Sequence, residues 1–468
     1  VEPISQKWMD NTDPSTNTVF SQIPDSDERD VQIAVDAAKQ AFVGWSTMPV
    51  KKRSDLLLRI AALIEKNLQR FAEAESLDNG KPVWLAKQVD IPRASANFHF
   101  YATAALHLAA ESHAMENTAI NYTLRQPIGI AGCISPWNLP LYLFTWKIAP
   151  ALASGNCVVA KPSEITPVTA FLLSQFCIEA GLPAGVLNII HGTGPRVGSA
   201  IVSHPDIPVI SFTGGTKTGA EISRIAAPMF KKLSLELGGK NPNIIFADCD
   251  FDHAVATSIK SSFSNQGEIC LCGSRIFIQR SIYDKFKEAF VSKIKGLKTG
   301  DPKDETNFLG AIVSQPHFEK ILSYIDLARE EGGVILTGGK AIQPEGRCKE
   351  GFFIEPTVIE NLPYNCRTNQ EEIFGPVVTL TPFDTEEEVL MMANSTPYGL
   401  AATVWTTNLT KAHKVAAALH SGIVWINCWL LRDLRTPFGG VKQSGIGREG
   451  GFEALKFFTE EKNICIKL

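Results

Sequence analysis

The 468-residue sequence has no apolar run approaching the roughly 18 residues that a bilayer-spanning helix requires, so no membrane association is expected. It also lacks a basic excess. Its 45 Lys and Arg face 49 Asp and Glu, a formal net charge of −4, which argues against nucleic acid or anionic membrane as partners. No low-complexity segment or short internal repeat interrupts it. The ten cysteines follow no repeated spacing, in a chain too long to need covalent staples, so a reducing, cytoplasmic setting is expected. Cys270 and Cys272 are spaced neither as a redox pair nor as a zinc knuckle, and no His lies within a few residues; no metal is expected. The opening residues Val1-Glu-Pro-Ile-Ser carry neither a charged-then-apolar signal nor an Arg/Ser-rich presequence. What is present is a large globular chain, for which roughly 150 residues per domain gives two or three domains and an ample core.

Helical spacing of Val31, Ala34, Val35, Ala38 and then Leu56, Leu57, Ile60 and Ile64 predicts two surface helices between Glu28 and Lys66. Another helix ends near Asn79-Gly80, and one more follows Pro92, from Arg93 to Leu108. Residues 119–124 alternate as a strand does. The apolar runs 127–135 and 157–161 suit strands buried on both faces of a parallel sheet. The second run closes on Lys161 and leads to Glu164; residues at the carboxyl edge of such a sheet face the crevice where nucleotides bind. Glu164 would accept ribose hydroxyls and repel a 2′-phosphate, favouring NAD over NADP. The plain alternative is a surface ion pair. The run Gly192-Thr-Gly194-Pro-Arg-Val-Gly198 is one residue longer than the dinucleotide fingerprint. Residues 209–219 read better as strand, turn (Thr213, Gly214, Gly215) and helix (Ala220 to Ala226), whose bare N-terminus suits a pyrophosphate. A second set of alternations runs from residue 243, through helices Phe251 to Phe263 and Gln315 to Glu331, to residue 405. Two α/β units joined near Gly238-Gly239, with a cleft between them, are therefore expected. The stretch 438–450 is too glycine-rich for regular structure.

Four short segments carry chemistry. Cys270 stands among Gly and small polar residues, where backbone N–H groups or a nearby cation would stabilise a thiolate; a buried Cys used as a small hydrophobe is the alternative. Glu236 interrupts the apolar run Leu233-Ser-Leu-Glu-Leu, and partial desolvation should raise its pKa toward that of a general base; a solvent-facing Glu on an edge strand is the alternative. Asn138, held in the turn between Pro136 and Pro140, offers an amide N–H₂ to a developing oxyanion, or simply forms the turn. Glu371-Glu372-Ile-Phe374-Gly-Pro leads an acidic pair into an aromatic turn.

In this order and at this spread, the four segments resemble the aldehyde dehydrogenase superfamily, over essentially the whole chain. Asp90-Ile-Pro-Arg93 and Asn427-Cys-Trp-Leu-Leu-Arg432 are similar to the group within it that oxidises 2-aminomuconate 6-semialdehyde. The resemblance implies an α/β aldehyde dehydrogenase fold. A Rossmann-like NAD domain would span residues 1–108 and 128–237, an α/β catalytic domain 238–454, and an oligomerisation β-hairpin arm 109–127 and 455–468. In a homodimer or homotetramer, the strand 463–467 would join a neighbouring subunit. The implied reaction is NAD-dependent oxidation of a semialdehyde, with Cys270 as nucleophile, Glu236 as base and Asn138 as oxyanion donor. Trp137, Lys161, Glu164, Gly194, Gly198, Thr213, Gly214, Gly215, Gly238, Glu372 and Phe374 would hold NAD, and Arg93 and Arg432 would take a substrate carboxylate. The family usually has Ser where this chain has Gly215, which removes one hydroxyl from the phosphate site. A 2-hydroxymuconate, betaine-type or aliphatic substrate, or a crystallin-like structural role, are the competing readings.

Overall fold

A computed structural model describes residues 2–468. One six-stranded sheet has the order Gly445–Ile446, Lys232–Glu236, Val209–Thr213, Ile130–Ile134, Cys157–Lys161, Leu187–Ile189, parallel except for its first pair. The three central strands are buried at every position, which is why their sequences are continuous apolar runs rather than alternations. Gly132 sits where a Cβ would lie 2.7 Å from the Ile210 side chain and 2.8 Å from that of Ile201, so the sheet and its covering helix need glycine there.

The helix Pro140–Ala153 is buried along its whole length, as expected of a helix apolar on all sides. Helices Val50–Lys66 and Ile91–Ala104 pack around it. The two expected surface helices are Glu28–Thr47, opened by a capping box from Asp27, and Val50–Lys66; each buries one stripe in the core. Fully burying each Leu or Ile of these stripes contributes about 1.5–3 kcal/mol.

The second sheet has seven strands in the order Val334–Thr337, Thr357–Glu360, Val377–Phe383, Arg275–Gln279, Pro242–Ile245, Ala401–Trp405, Ile423–Ile426, again parallel except for its first pair. A third, three-stranded sheet joins Ser112–Met115, Ala119–Pro127 and Thr459–Lys467.

Four expectations change. The helix after Gly215 begins at Thr216, not Ala220, because Gly215 itself serves as the N-cap. The helix expected from Arg93 to Leu108 is Ile91–Ala104, entered through a wide turn at Ala86–Asp90. Within 438–450, Gly445-Ile446 pairs with Glu236 and Leu235, so the glycine-rich stretch adds an edge strand to the first sheet; Gly445 lies so close that a Cβ would meet the Leu235 carbonyl. The C-terminal strand begins at Thr459 rather than 463, and one of its edges is taken by this chain's own Ala119–Pro127, with Thr459 opposite Pro127 and Lys467 opposite Ala119.

Candidate active site

Parallel strands deliver side chains at their carboxyl ends. Lys161, Thr213 and Glu236 are the last residues of their strands, and Asn138 lies in the turn after Ile130–Ile134. The second sheet contributes the loops that precede its strands: Gly238-Gly239, Cys270, and Glu372 with Phe374. One hydrogen bond ties the first set to the second, and two more brace the second set. Asn138 Nδ2 donates to the Glu268 carbonyl at 2.9 Å, Asn241 Nδ2 to the Cys270 carbonyl at 2.8 Å, and the Gly239 N–H to Glu372 Oε1 at 2.8 Å.

The loop before Cys270 is strained and firmly held. Asn265, Gln266 and Gly267 are consecutively left-handed, with φ of 53°, 56° and 73°. Asn265 Nδ2 donates to the carbonyls of Asn138 at 3.1 Å and Glu268 at 3.2 Å, and Gln266 Nε2 donates to Ala311 O. The Cys270 thiol itself is pushed up, first by burial and then by the Glu372 and Glu236 carboxylates, with Arg432 opposing. The expected thiolate-stabilising surroundings are therefore corrected. Two carboxyl groups face the sulfur against a single cation, so the thiol stays neutral until a base removes its proton.

Glu236 is 4% exposed, and neither carboxylate oxygen has a hydrogen-bond partner among the described residues. Burial raises its pKa well above the usual carboxylate range; Glu449 adds to this, while Lys147, Arg448 and Arg432 oppose it. Glu449 Oε1 accepts from Lys147 Nζ at 2.8 Å and from Ser211 Oγ at 3.1 Å. Below its raised pKa Glu236 is protonated and cannot act as a base, so turnover should be lost as pH falls through that value. Glu449→Gln removes a like charge and should move this acidic limb of the kcat profile to lower pH; a limb that stays put or moves up would contradict the assignment.

Asn138 is 3% exposed. One of its two amide hydrogens is used by Glu268. The Asn138 backbone carbonyl accepts from Lys81 Nζ at 3.1 Å, and Lys81 is wholly buried against Asp90 at 3.1 Å. Sequence reading missed Lys81, which followed an Asn-Gly helix stop, and Lys147 and Glu449. Lys147 had a signal, a lone cation within an apolar helix; Glu449 had none.

The residues assigned to NAD fit a dinucleotide. Lys161, 2% exposed, donates to Glu164 Oε2 at 2.8 Å, and Glu164 Oε1 accepts the Gly194 N–H at 3.1 Å. The pair thus exists, but its lysine is buried rather than at the surface. Burial acts to raise the Glu164 pKa, yet Lys161 prevails and the carboxylate is held low. Gly198 closes a wide helical turn, Gly194–Gly198. Thr213 Oγ1 is buried without a partner, and Gly214 follows it into the turn. Gly215 caps an eleven-residue helix with no side-chain cap. Cβ atoms built at Gly194 and Gly215 meet nothing within 4 Å, so both face open space. A Cβ at Gly238, by contrast, would strike the Glu372 carboxylate. Trp137 meets Phe374 edge-on at 5.3 Å. Gly215→Ser, at φ −70° with room for the side chain, should tighten NAD binding severalfold, the equivalent of one hydrogen bond of about 1 kcal/mol. Titration calorimetry with Gly215→Ala as control checks this; an equal gain for Ala would exclude the hydroxyl.

Arg432 Nη1 donates to Tyr142 Oη at 2.6 Å, and its guanidinium carbon stands 4.0 Å from the Phe438 ring centre and 5.3 Å from that of Trp146. Arg93 stacks over Tyr142 at 5.5 Å and Trp146 at 5.8 Å. Both line one cavity of about 1,030 Å³. Neither makes an ion pair among the described residues; Asp433 pairs with Arg435 instead, at 2.6 Å. Two nitrogens of Arg93, Nε and Nη2, are buried without a partner.

The aldehyde dehydrogenase family profile matches residues 1–464. A Danio rerio protein named 2-aminomuconic semialdehyde dehydrogenase is 52% identical over 465 residues, 98% of this chain and 95% of its own. A Pseudomonas protein named 2-hydroxymuconic semialdehyde dehydrogenase is 46% identical, over 99% and 97%. The NAD+ complex of an aldehyde dehydrogenase from Bacillus cereus matches with a TM-score of 0.97 at 39% identity, over 100% of this chain and 95% of that one.

Proposed function

Because the chain belongs to the aldehyde dehydrogenase family, and so oxidises an aldehyde to its acid with NAD, we propose that its substrate is 2-aminomuconate 6-semialdehyde, converted to 2-aminomuconate in tryptophan (kynurenine) catabolism. The observation that carries this reading is the pair Arg93 and Arg432, which share one cavity and have no carboxylate partner among the described residues. Desolvated guanidinium groups without an anion are costly, and their planar forks suit a carboxylate. The names of the Danio rerio and Pseudomonas relatives support it, since both substrates they name are muconic semialdehydes. 2-Hydroxymuconate semialdehyde is the nearest competing substrate; cationic, betaine-type aldehydes would meet the wrong charge. The test is kcat/KM on a panel of aldehydes with and without a distal carboxylate. A preference for the neutral members would sink the proposal.

In the proposed mechanism Cys270 Sγ, once its proton has passed to Glu236 or to water, adds to the aldehyde carbon to give a thiohemiacetal. The free amide hydrogen of Asn138 and the Cys270 backbone N–H hold the oxyanion, each such donor lowering the barrier by about 3 kcal/mol. Bound NAD supplies the hydride acceptor, leaving a thioester on Cys270. Glu236, having released any proton taken from the thiol to solvent, then takes a proton from water, the resulting hydroxide attacks the thioester, and the acid leaves as the proton on Glu236 returns to the Cys270 sulfur. Glu372 and Phe374 would hold the nicotinamide ribose, with Trp137 lining the same channel. Lys161 and Glu164 would face the adenosine ribose, and the Thr213–Gly215 turn with Gly194 and Gly198 the pyrophosphate. A purely structural, crystallin-like role is disfavoured because Cys270 and Glu236 are both retained.

We assign residues 1–108 and 128–237 to the cofactor domain and 238–454 to the catalytic domain. In the arm, 109–127 and 455–468, the outer edges of Ser112–Met115 and Thr459–Lys467 have no strand partner among the described residues, and they suit a homodimer or homotetramer in the cytoplasm.

A further inference from the structure

We propose that His317 is a positioning residue, a latch that holds Phe374 in a strained conformation against the nicotinamide end of the cofactor; the inference rests on reading Phe374 as a cofactor residue. His317 is the third residue of the helix Gln315–Glu330, and its side chain is 12% exposed. Its Nε2 lies 2.6 Å from the Phe374 carbonyl oxygen. A carbonyl only accepts, so Nε2 carries the ring proton and Nδ1 is bare. Phe374 sits at φ 62°, in the left-handed region, where a bulky aromatic is strained by roughly 1–3 kcal/mol unless its surroundings hold it. The imidazole supplies that hold from outside the loop.

The same ring links three parts of the site. His317 and Phe374 both meet the Trp137 indole edge-on, at 5.0 and 5.3 Å, and Trp137 directly precedes Asn138. The Glu268 carboxylate lies 3.8 Å from His317 Nε2, and the Glu268 carbonyl accepts the Asn138 amide. Burial holds the imidazole neutral, down to about 4, and holds the Glu268 carboxyl well above the usual range. The imidazole is therefore neutral near pH 7, and its single N–H, on Nε2, remains committed to Phe374. Released from this bond, Phe374 would relax to negative φ, and its ring would leave the face of Trp137 against which the nicotinamide is to be held.

The test compares His317→Asn with His317→Gln. Glutamine puts an amide nitrogen close to where Nε2 stands; the shorter asparagine does not reach Phe374. For His317→Asn the NAD Kd, measured by calorimetry without substrate, should rise about tenfold. The rate of the first-turnover NADH burst should fall by a similar factor, and a primary deuterium isotope effect should emerge on kcat. His317→Gln should restore all three. A smaller burst at wild-type rate and affinity, or no recovery in the glutamine variant, would mean that His317 serves only the fold. Phe374→Ala separates the two claims. If it leaves Kd and burst rate unchanged, the cofactor reading of Phe374 fails; if it weakens both while His317→Asn weakens neither, the latch alone fails.

Discussion

Cys270→Ala is expected to abolish aldehyde oxidation while leaving the NAD Kd unchanged, because the sulfur forms the covalent adduct but holds none of the residues assigned to the cofactor. Glu236→Ala should behave differently. It keeps the nucleophile, so the first hydride transfer should still occur, and it loses the carboxylate that draws a proton from water. A burst of about one NADH per site, followed by turnover slowed by two or more orders of magnitude, is the expected trace. Normal steady-state turnover in the Glu236 variant would refute the base assignment. The surroundings of the two groups explain why their roles separate. Burial raises both groups, with Glu372 and Glu236 adding to the effect on the thiol and Glu449 to that on Glu236, so the thiol rests protonated and Glu236 is a stronger base than an ordinary carboxylate. Thiol activation is thus a proton transfer within the site, not a standing thiolate, and adding the electrophile must draw it forward. If part of the burst depends on Glu236 as the first proton acceptor, the burst rate in Glu236→Ala should recover as pH rises toward that of a free thiol.

How much of this could be read from the sequence depends on whether a residue acts through its neighbours in the chain or through the fold. The central strands of the first sheet were legible because burial on both faces leaves an uninterrupted apolar run, as in Cys157–Lys161. The helix Phe251–Phe263 was legible to the residue, since its apolar spacing and its Asp250 cap are both local. Asn138, Glu236 and Cys270 stood out as polar residues set in apolar or glycine-bounded contexts. Lys81, Asn265 and Glu449 did not, because each acts on a group far away in the chain: Lys81 on the Asn138 carbonyl, Glu449 on Glu236. The start of the helix after Gly215 was misjudged because its first turn, Thr-Lys-Thr-Gly, has weak helical propensity and is set by the cap instead. The thiol was misjudged because its charge environment is made by Glu372 and Glu236, 102 and 34 residues away.

Arg93→Ala is expected to cost 2–5 kcal/mol in kcat/KM on a semialdehyde with a distal carboxylate, a loss from roughly thirtyfold to a few thousandfold, and little on a neutral aldehyde of similar length. Two of its nitrogens are buried without a partner, and the guanidinium's neighbours are the Tyr142 and Trp146 rings, the Tyr142 hydroxyl and the like-charged Arg432. A carboxylate placed between it and Arg432 would satisfy both, whereas a neutral tail would leave them as they are. Arg432→Ala should show the same selectivity together with a smaller loss on neutral substrates, because Arg432 is also the cation that opposes the raising of the Cys270 thiol. Its removal should shift the burst-phase pH profile upward, and Arg93→Ala should not shift it, which makes Arg93 the cleaner probe of the carboxylate. Arg432→Lys keeps the charge but loses the planar fork, and should recover the thiol effect more fully than the carboxylate preference. The bland reading of this stretch is an ion pair of Asp433 with Arg432 or Arg435; the pair that forms is with Arg435, through both Asp433 oxygens, and it leaves Arg432 without a carboxylate among the described residues. Equal losses on charged and neutral substrates for Arg93→Ala, or none on either, would mean that the arginines serve the fold and that the semialdehyde assignment should be dropped.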